Sequence, residues 1–243
     1  EAFYFGKISM PNIKRVPMYF GKSLISAIFR GRIQKGLFAS MKWSEKSFGG
    51  WFPKIFGSYE FKIQEHLETL LVEKPNPVVF DIGAAEGFYA VGLATCGATV
   101  IAWEGEEVVR DELIKVAERN NVKDLVEVRG YCESDELVTL IKERGAPDIL
   151  IMDTEGYEIK LITEELLKIC QSTKFIIELH GDDAIRHVSD VFKRCGIAGE
   201  LFDHSVFEVT DWPHYRWMPN GFKSFLLGER RSPGGNPYFL SAQ

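Results

Sequence analysis

The sequence predicts an α/β fold: a mostly parallel sheet, flanked by helices, with an antiparallel last strand. Three observations carry this. From Val78 to Gly196, short apolar runs alternate with amphipathic segments, the pattern of repeated βα units. The runs VVF, ILIM and FIIEL are apolar without interruption, as strands buried on both faces are. After Gly196 the character changes, with two strand-like stretches and no clear helix between them, a hairpin-like finish.

Local signals place each element. SYEFKIQEHLETLLVEK (58–74) spaces Phe61, Ile63, Leu67, Leu70 and Leu71 close to helical period, with Ser58 as N-cap and Pro75 and Pro77 as stops. His66 reads as a surface or partly packed histidine of that helix. VVFDI is the first strand, and a helix follows from about Gly87 to Cys96. ATVIAWE is the second strand, and EEVVRDELIKVAERNNV is an amphipathic helix ending at Asn120–Asn121. VEVRG is the third strand; SDELVTLIKERG is a helix capped by Ser134 and stopped by Gly145. DILIMD is a strand, EIKLITEELLKIC one helix, KFIIELH a strand, and DDAIRHVSDVFKRCG a helix closing at Gly196. The last strands are expected around Leu201–Val209 and Phe222–Leu227. This divides the chain into an N-terminal extension or cap (1–57), a main domain (58–230) and a Pro/Gly-rich tail (231–243), extended or disordered.

With 243 residues, 45% hydrophobic and 26% charged, the chain suits one sizeable domain with an appendage. No run approaches the ~18 apolar residues of a membrane span, and no secretory signal pattern opens the sequence. Cys96, Cys132, Cys170 and Cys195 lack CxxC or zinc spacing, so they read as free thiols of a reducing, cytoplasmic compartment. The net charge of −6 hides an asymmetry: residues 1–58 hold ten Lys or Arg against Glu1 and Glu45, and the rest is strongly acidic. Such a segment meets something anionic, whether substrate, membrane surface or the acidic domain itself. Within it SLISAIFRGRIQKGLF has a mixed helical period with Leu24, Ile28 and Phe29 on one side. It is either a strap packing its aromatics on the main domain or a substrate-covering or membrane-contact helix. So many aromatics argue against a free tail, and the segment is expected over the cofactor face or its rim.

The centre of the chain is VVFDIGAAEGFYA, the strand–glycine turn–helix unit on which Rossmann-like sheets bind adenosine-containing cofactors. Gly83 and Gly87 let the backbone approach a ligand and let helix pack on strand. A dinucleotide lays its pyrophosphate on this turn and wants GxGxxG without nearby negative charge. Here Ala85 takes the middle glycine position, and Asp81 and Glu86 are acidic. S-adenosylmethionine carries an ammonium and a sulfonium and no phosphate, which suits Asp81. Glu104, ending the run ATVIAW, stands where a carboxylate accepts ribose hydroxyls.

Ligands of open α/β sheets bind beyond the C-terminal strand ends. Those ends deliver Asp81, Gly83, Ala84 and Ala85; Glu104 and Gly105; Tyr131 and Cys132, beside an adenine or merely structural; DTEGY from Asp153; and Glu178 with His180. Carboxylates there are solvated, paired or functional, since simple burial is costly.

DIGAAEGFYA, the IAWEG strand end, IMDTEGYEIKLI and IIELHG, in this order, resemble the FkbM-like family of S-adenosylmethionine-dependent methyltransferases over roughly Val78 to Gly181. Its members often carry Asn where Ala85 stands. The resemblance implies a Rossmann-like class I methyltransferase sheet, with Asp81, Gly83, Gly87 and Glu104 holding the cofactor and Asp153 facing its methionine end. It also implies O-methylation of a hydroxyl on a small molecule or sugar. Candidates for handling the acceptor proton are His180, Asp153, Glu155 and Glu178, a set that also suits a divalent metal. Two other readings stay open: a non-catalytic methyltransferase-like binding module, and an NAD-dependent oxidoreductase disfavoured by the missing GxGxxG. The low pI and lack of a nucleic-acid motif argue against nucleic acid.

Overall fold

The computed structural model describes residues 18–44, 46–47, 50–202 and 238–241. Three helices come first: α1 (Met18–Phe29), α2 (Trp51–Phe56) and α3 (Phe61–Glu73). Then follow β1 (Val78–Ile82), α4 (Phe88–Thr95), β2 (Thr99–Trp103), α5 (Glu107–Arg119), β3 (Val126–Arg129), α6 (Ser134–Arg144) and β4 (Ile149–Met152). The chain continues through α7 (Glu158–Leu161), α8 (Glu164–Ile169), β5 (Lys174–Glu178), α9 (Asp182–Arg194), β6 (Gly199–Phe202) and β7 (Tyr238–Ser241).

The expected α/β architecture is present. The strand order is β3-β2-β1-β4-β5-β7-β6. β1 to β5 pair in parallel, and β7 inserts antiparallel between β5 and β6. The chain winds outward from β1 to β3, then returns to place β4 on the other side of β1. The connections after β1 and β4 therefore diverge, and a crevice opens at their C-terminal ends.

Both faces of the sheet are buried, because successive side chains alternate faces. Val79, Ile149, Ile151 and Ile176 face a core with α3 to α5, while Phe80, Ile82, Leu150 and Met152 face one with α6, α8 and α9. The described part of the aromatic N-terminal segment belongs to the first core: Ile33, Phe38, Trp43, Trp51, Phe52 and Ile55 are buried there. Phe38 lies so close to Gly92 of α4 that a Cβ there would stand 2.6 Å from its ring. Asn120 closes the contact, accepting from Lys42 N (2.8 Å) and donating to Lys42 O (2.9 Å). In α1 Ile25 is buried and Phe29 packs against the first core as expected, while Ile28 is exposed; the side chain of Leu24 lies outside the described residues.

Several boundaries differ from expectation for local reasons. Ser58 and Ser134 are not N-caps; Glu60, in the left-handed region at φ 44°, precedes α3, and Glu133 precedes α6. The helix expected over EIKLITEELLKIC is two, because Thr163 is extended and its hydroxyl accepts from Leu166 N, capping α8. β6 covers Gly199–Phe202, beginning two residues before the strand expected at Leu201–Val209; the rest of that stretch and the strand expected at Phe222–Leu227 lie outside the described residues. Tyr238–Ser241, placed by sequence in the tail, forms β7. Phe239 is buried there with its ring 4.5 Å from Phe192, burial that a free tail would forgo. No helix among the described residues is long and apolar enough to cross a membrane.

Candidate active site

The crevice at the β1/β4 divergence is a cavity of about 580 Å³, within the range of small-molecule sites. Gly83 shapes its floor. It has φ 84°, and a Cβ there would lie 1.7 Å from the Asp153 carbonyl oxygen, so the loops after β1 and β4 touch at this glycine. Gly83 and Ala84 both donate to Trp103 O at 2.9 Å, which ties the turn to the end of β2. Ala85, also left-handed at φ 45°, donates its N–H to Glu104 Oε2 (3.0 Å), and Glu106 donates to Glu104 Oε1 (2.8 Å). Two backbone donors thus fix the Glu104 carboxylate on the cavity lining while leaving lone pairs for a ligand's hydroxyls. Arg110 bonds the carbonyls of Glu104 (2.7 Å) and Gly105 (2.6 Å), holding the loop beneath.

Tyr131 and Cys132 line the side after β3. Tyr131 is exposed and meets Tyr157 edge-on, ring centres 5.1 Å apart. Burial, aided by Glu136 and Glu133, pushes the Cys132 thiol up to about 12, so it is a neutral wall and not a nucleophile. Gly105, Asp153 and Glu155 complete the sequence-selected residues on the lining. Asp81, Ala84, Gly87, Glu178 and His180 are not among the lining residues. Asp81 is buried under the turn. Burial pushes its carboxyl up to about 7 against the backbone N–H of Ala90, with Asp153, Glu104 and Glu60 pushing the same way. Gly87, at φ 87°, precedes α4 where a Cβ would stand 2.9 Å from Leu113, a packing role. Glu178 ends β5 half-buried.

Beside the cavity, the loop after β4 and the end of β5 converge. His180 Nε2 lies 3.5 Å from Asp153 Oδ1 and 3.4 Å from Glu155 Oε2. Its Nδ1 is 3.0 Å from Oε1 of Glu158, a fully buried carboxylate that also accepts from Thr154 N (3.1 Å), Thr154 Oγ1 (2.8 Å) and Gly156 N (3.2 Å). Burial opposes charge on His180, but the Glu158 bond and the charges of Glu158, Asp153 and Glu178 outweigh it and push the imidazole up to about 9. Burial raises Asp153 to about 6, against the His180 charge and with Glu60, Glu155 and Glu158. The surrounding carboxylates therefore favour the charged imidazole.

Sequence reasoning passed over Glu158, although DTEGYE contains it. Glu155 (φ 53°) and Gly156 (φ 102°) turn the chain there and bring Glu158 back under the loop. Glu86, read from sequence as a charge repelling a phosphate at the turn, is instead buried 3.5 Å from Lys54, a pair that joins the N-terminal segment to the glycine turn. The Lys54 ammonium sits over the rings of Trp43 (5.4 Å), Tyr59 (4.8 Å) and Phe88 (5.9 Å). Lys54 stood in the basic count, and only its aromatic neighbours hinted at burial.

No protein-family model matches the chain, and no curated protein sequence matches it. Solved structures do resemble it. An O-methyltransferase from Bacillus cereus in complex with SAH is 14% identical, with a TM-score of 0.51, over 96% of this chain and 92% of that one. A putative O-methyltransferase from Klebsiella pneumoniae is 12% identical (TM-score 0.50), over 74% and 79% of the two chains. The protein WbdD is 18% identical (TM-score 0.53), over 81% of this chain and 43% of that one. At these identities the likeness speaks to architecture, and the architecture is the Rossmann-like fold of the class I S-adenosylmethionine-dependent methyltransferases.

Proposed function

We propose that the chain moves a methyl group from S-adenosylmethionine to a hydroxyl of a small molecule or sugar. One observation carries the reading: Glu104 sits on the cavity lining with each carboxylate oxygen anchored by a backbone N–H. A carboxylate so held accepts the hydroxyls of a ribose. Such a carboxylate serves an adenosine ribose of either cofactor; what disfavours NAD is Ala85 at the middle glycine position of the turn, its N–H already engaged by Glu104 and unavailable to a pyrophosphate. Gly83, Ala85 and Gly105 give the ligand close access to backbone, Tyr131 and Cys132 border its base, and Asp153 attracts its cationic end.

When bound, the cofactor supplies an electrophilic methyl on a sulfonium, and the acceptor oxygen must lose a proton as it attacks. An imidazolium cannot take that proton, so in the metal-free cluster the base role expected of His180 falls to Asp153. Its raised pKa, about 6, lies near working pH, where a general base is most effective. His180 then stabilises the resulting charge balance, and Glu158, with Glu178 behind it, keeps the imidazole charged.

Calorimetry with the full chain tests the cofactor, and mass spectrometry with a panel of hydroxylated metabolites and sugars tests the acceptor. S-adenosylmethionine or its demethylated product should bind with low-micromolar affinity, about −8 kcal/mol, while NAD gives no heat. NAD binding without S-adenosylmethionine binding would overturn the proposal. Cofactor binding with no methylated product would leave a binding module.

A further inference from the structure

We propose that Asp153, Glu155 and His180 form a binding site for one divalent cation of the Mn²⁺ class. The inference stands apart from methyl transfer, because cation uptake is read without cofactor or acceptor.

The donors come from two segments, the loop after β4 and the end of β5, and one atom from each residue lies within 4.8 Å of the other two. The separations from His180 Nε2, 3.5 and 3.4 Å, are close to what a cation requires. Donors at ~2.1–2.3 Å from a common ion and near right angles to one another are ~3 Å apart. Small side-chain adjustments suffice.

An ion pair alone could gather these groups, but two further features point to a missing ligand. Asp153 Oδ1 is shielded from solvent and has no hydrogen-bond partner among the described residues, even with His180 Nε2 at 3.5 Å. A simple imidazolium–carboxylate pair would align that bond and satisfy the oxygen. The second feature is Glu158, wholly buried and bonded to His180 Nδ1 at 3.0 Å. Carboxylates hold metal-binding histidines in this way, fixing the ring and leaving Nε2 for the ion. Here the freed Nε2 faces the two other carboxylates.

One imidazole and two carboxylates suit a hard-to-borderline ion such as Mn²⁺. Three protein donors leave the remaining coordination positions to water or to an acceptor's oxygen. Because Asp153 also lines the cavity, the ion would stand at its edge.

The test is Mn²⁺ titration of the chelator-stripped full chain, read by electron paramagnetic resonance, with Mg²⁺ and Zn²⁺ as competitors and circular dichroism to confirm folding. One Mn²⁺ per chain is expected. Glu155→Gln changes a side chain that is 87% exposed, so it should fold normally and weaken binding at least tenfold. Glu158→Gln, a positioning change, should weaken it roughly 10–100-fold, with His180 ring resonances shifted in the metal-free protein. No uptake at millimolar Mn²⁺ by the folded chain, or unchanged affinity in Glu155→Gln and Asp153→Asn, would overturn the proposal. Uptake of Zn²⁺ with Mn²⁺ refused would overturn the class assigned.

Discussion

Glu104 and Asp153 stand on one cavity lining, two carboxylates at the ends of two strands, yet the protein treats them in opposite ways. Both oxygens of Glu104 are engaged by backbone N–H groups, and Arg110 braces the carbonyl of the same residue. Asp153 keeps a shielded oxygen without a hydrogen-bond partner among the described residues, and burial pushes its pKa up. The first arrangement is finished before any ligand arrives, so a ligand there loses little to reorganisation. The second is left unsatisfied, and whatever binds there is repaid by completing it. One side is preorganised and the other waits to be completed.

The two sides meet at Gly83, so the comparison breaks most completely there. Gly83→Ala drives a methyl to 1.7 Å from the Asp153 carbonyl, and the glycine's φ of 84° disfavours any side chain. Left-handed strain of about 1–2 kcal/mol and backbone displacement of about 1–3 kcal/mol together give roughly 3 kcal/mol. For a chain of this size that lowers Tm by about 6–12 °C. Differential scanning calorimetry checks it. Melting within a degree or two of wild type, with cofactor and Mn²⁺ binding both intact, would mean the two sides are not rigidly joined.

Glu104→Ala separates the sides instead. It removes a charged acceptor for hydroxyls, at about 1.5–3 kcal/mol per bond lost, or roughly ten- to a hundredfold in affinity. Mn²⁺ uptake should be unchanged, since Glu104 takes no part in the histidine cluster. Calorimetry showing equal cofactor affinity in the variant would remove Glu104 from the binding role. A parallel loss of Mn²⁺ would show that the cavity acts as one site.

The same contrast marks what the sequence could reveal. From Val78 to Arg194 the strands and helices were legible, because two-sided burial gives unbroken apolar runs and glycines punctuate the turns. The Glu104 side was legible too, since a strand end fixes its place. The histidine side was legible in its members but not in its wiring. Asp153, Glu155 and His180 could be named, whereas Glu158 depends on a left-handed turn at a non-glycine residue that no pattern announces. Asp81 reads like a ligand contact and is instead buried beneath the turn. β7 was hidden because YFL is short and follows a Pro/Gly-rich stretch. Aromatic content indicated that the N-terminal segment packs, but the docking of Phe38 on Gly92 needed coordinates.

Asp81 sharpens the comparison through pH, because it lies beneath both sides and feels each. Its folded-state pKa is raised from 3.8 to about 7, first by burial and then by Asp153, Glu104 and Glu60. A group raised on folding contributes stability that is fully present below its unfolded value and is lost as pH rises through the folded one. The wild type should therefore lose up to about 1.4 kcal/mol per pH unit relative to Asp81→Asn between roughly pH 4 and 7, and no more above that. Solvent relaxation around a buried carboxylate will make the measured slope shallower. In thermal melts with chelator present, the Tm of the variant minus that of wild type should climb over this window and then level off. Parallel curves would show that Asp81 does not titrate there. Asp153 acts on Asp81 more strongly than Glu104 does. Asp153→Asn should accordingly move the inflection further down than Glu104→Gln. The reverse order would place the stronger field on the side that the backbone has already satisfied, and the contrast between the two carboxylates would fail.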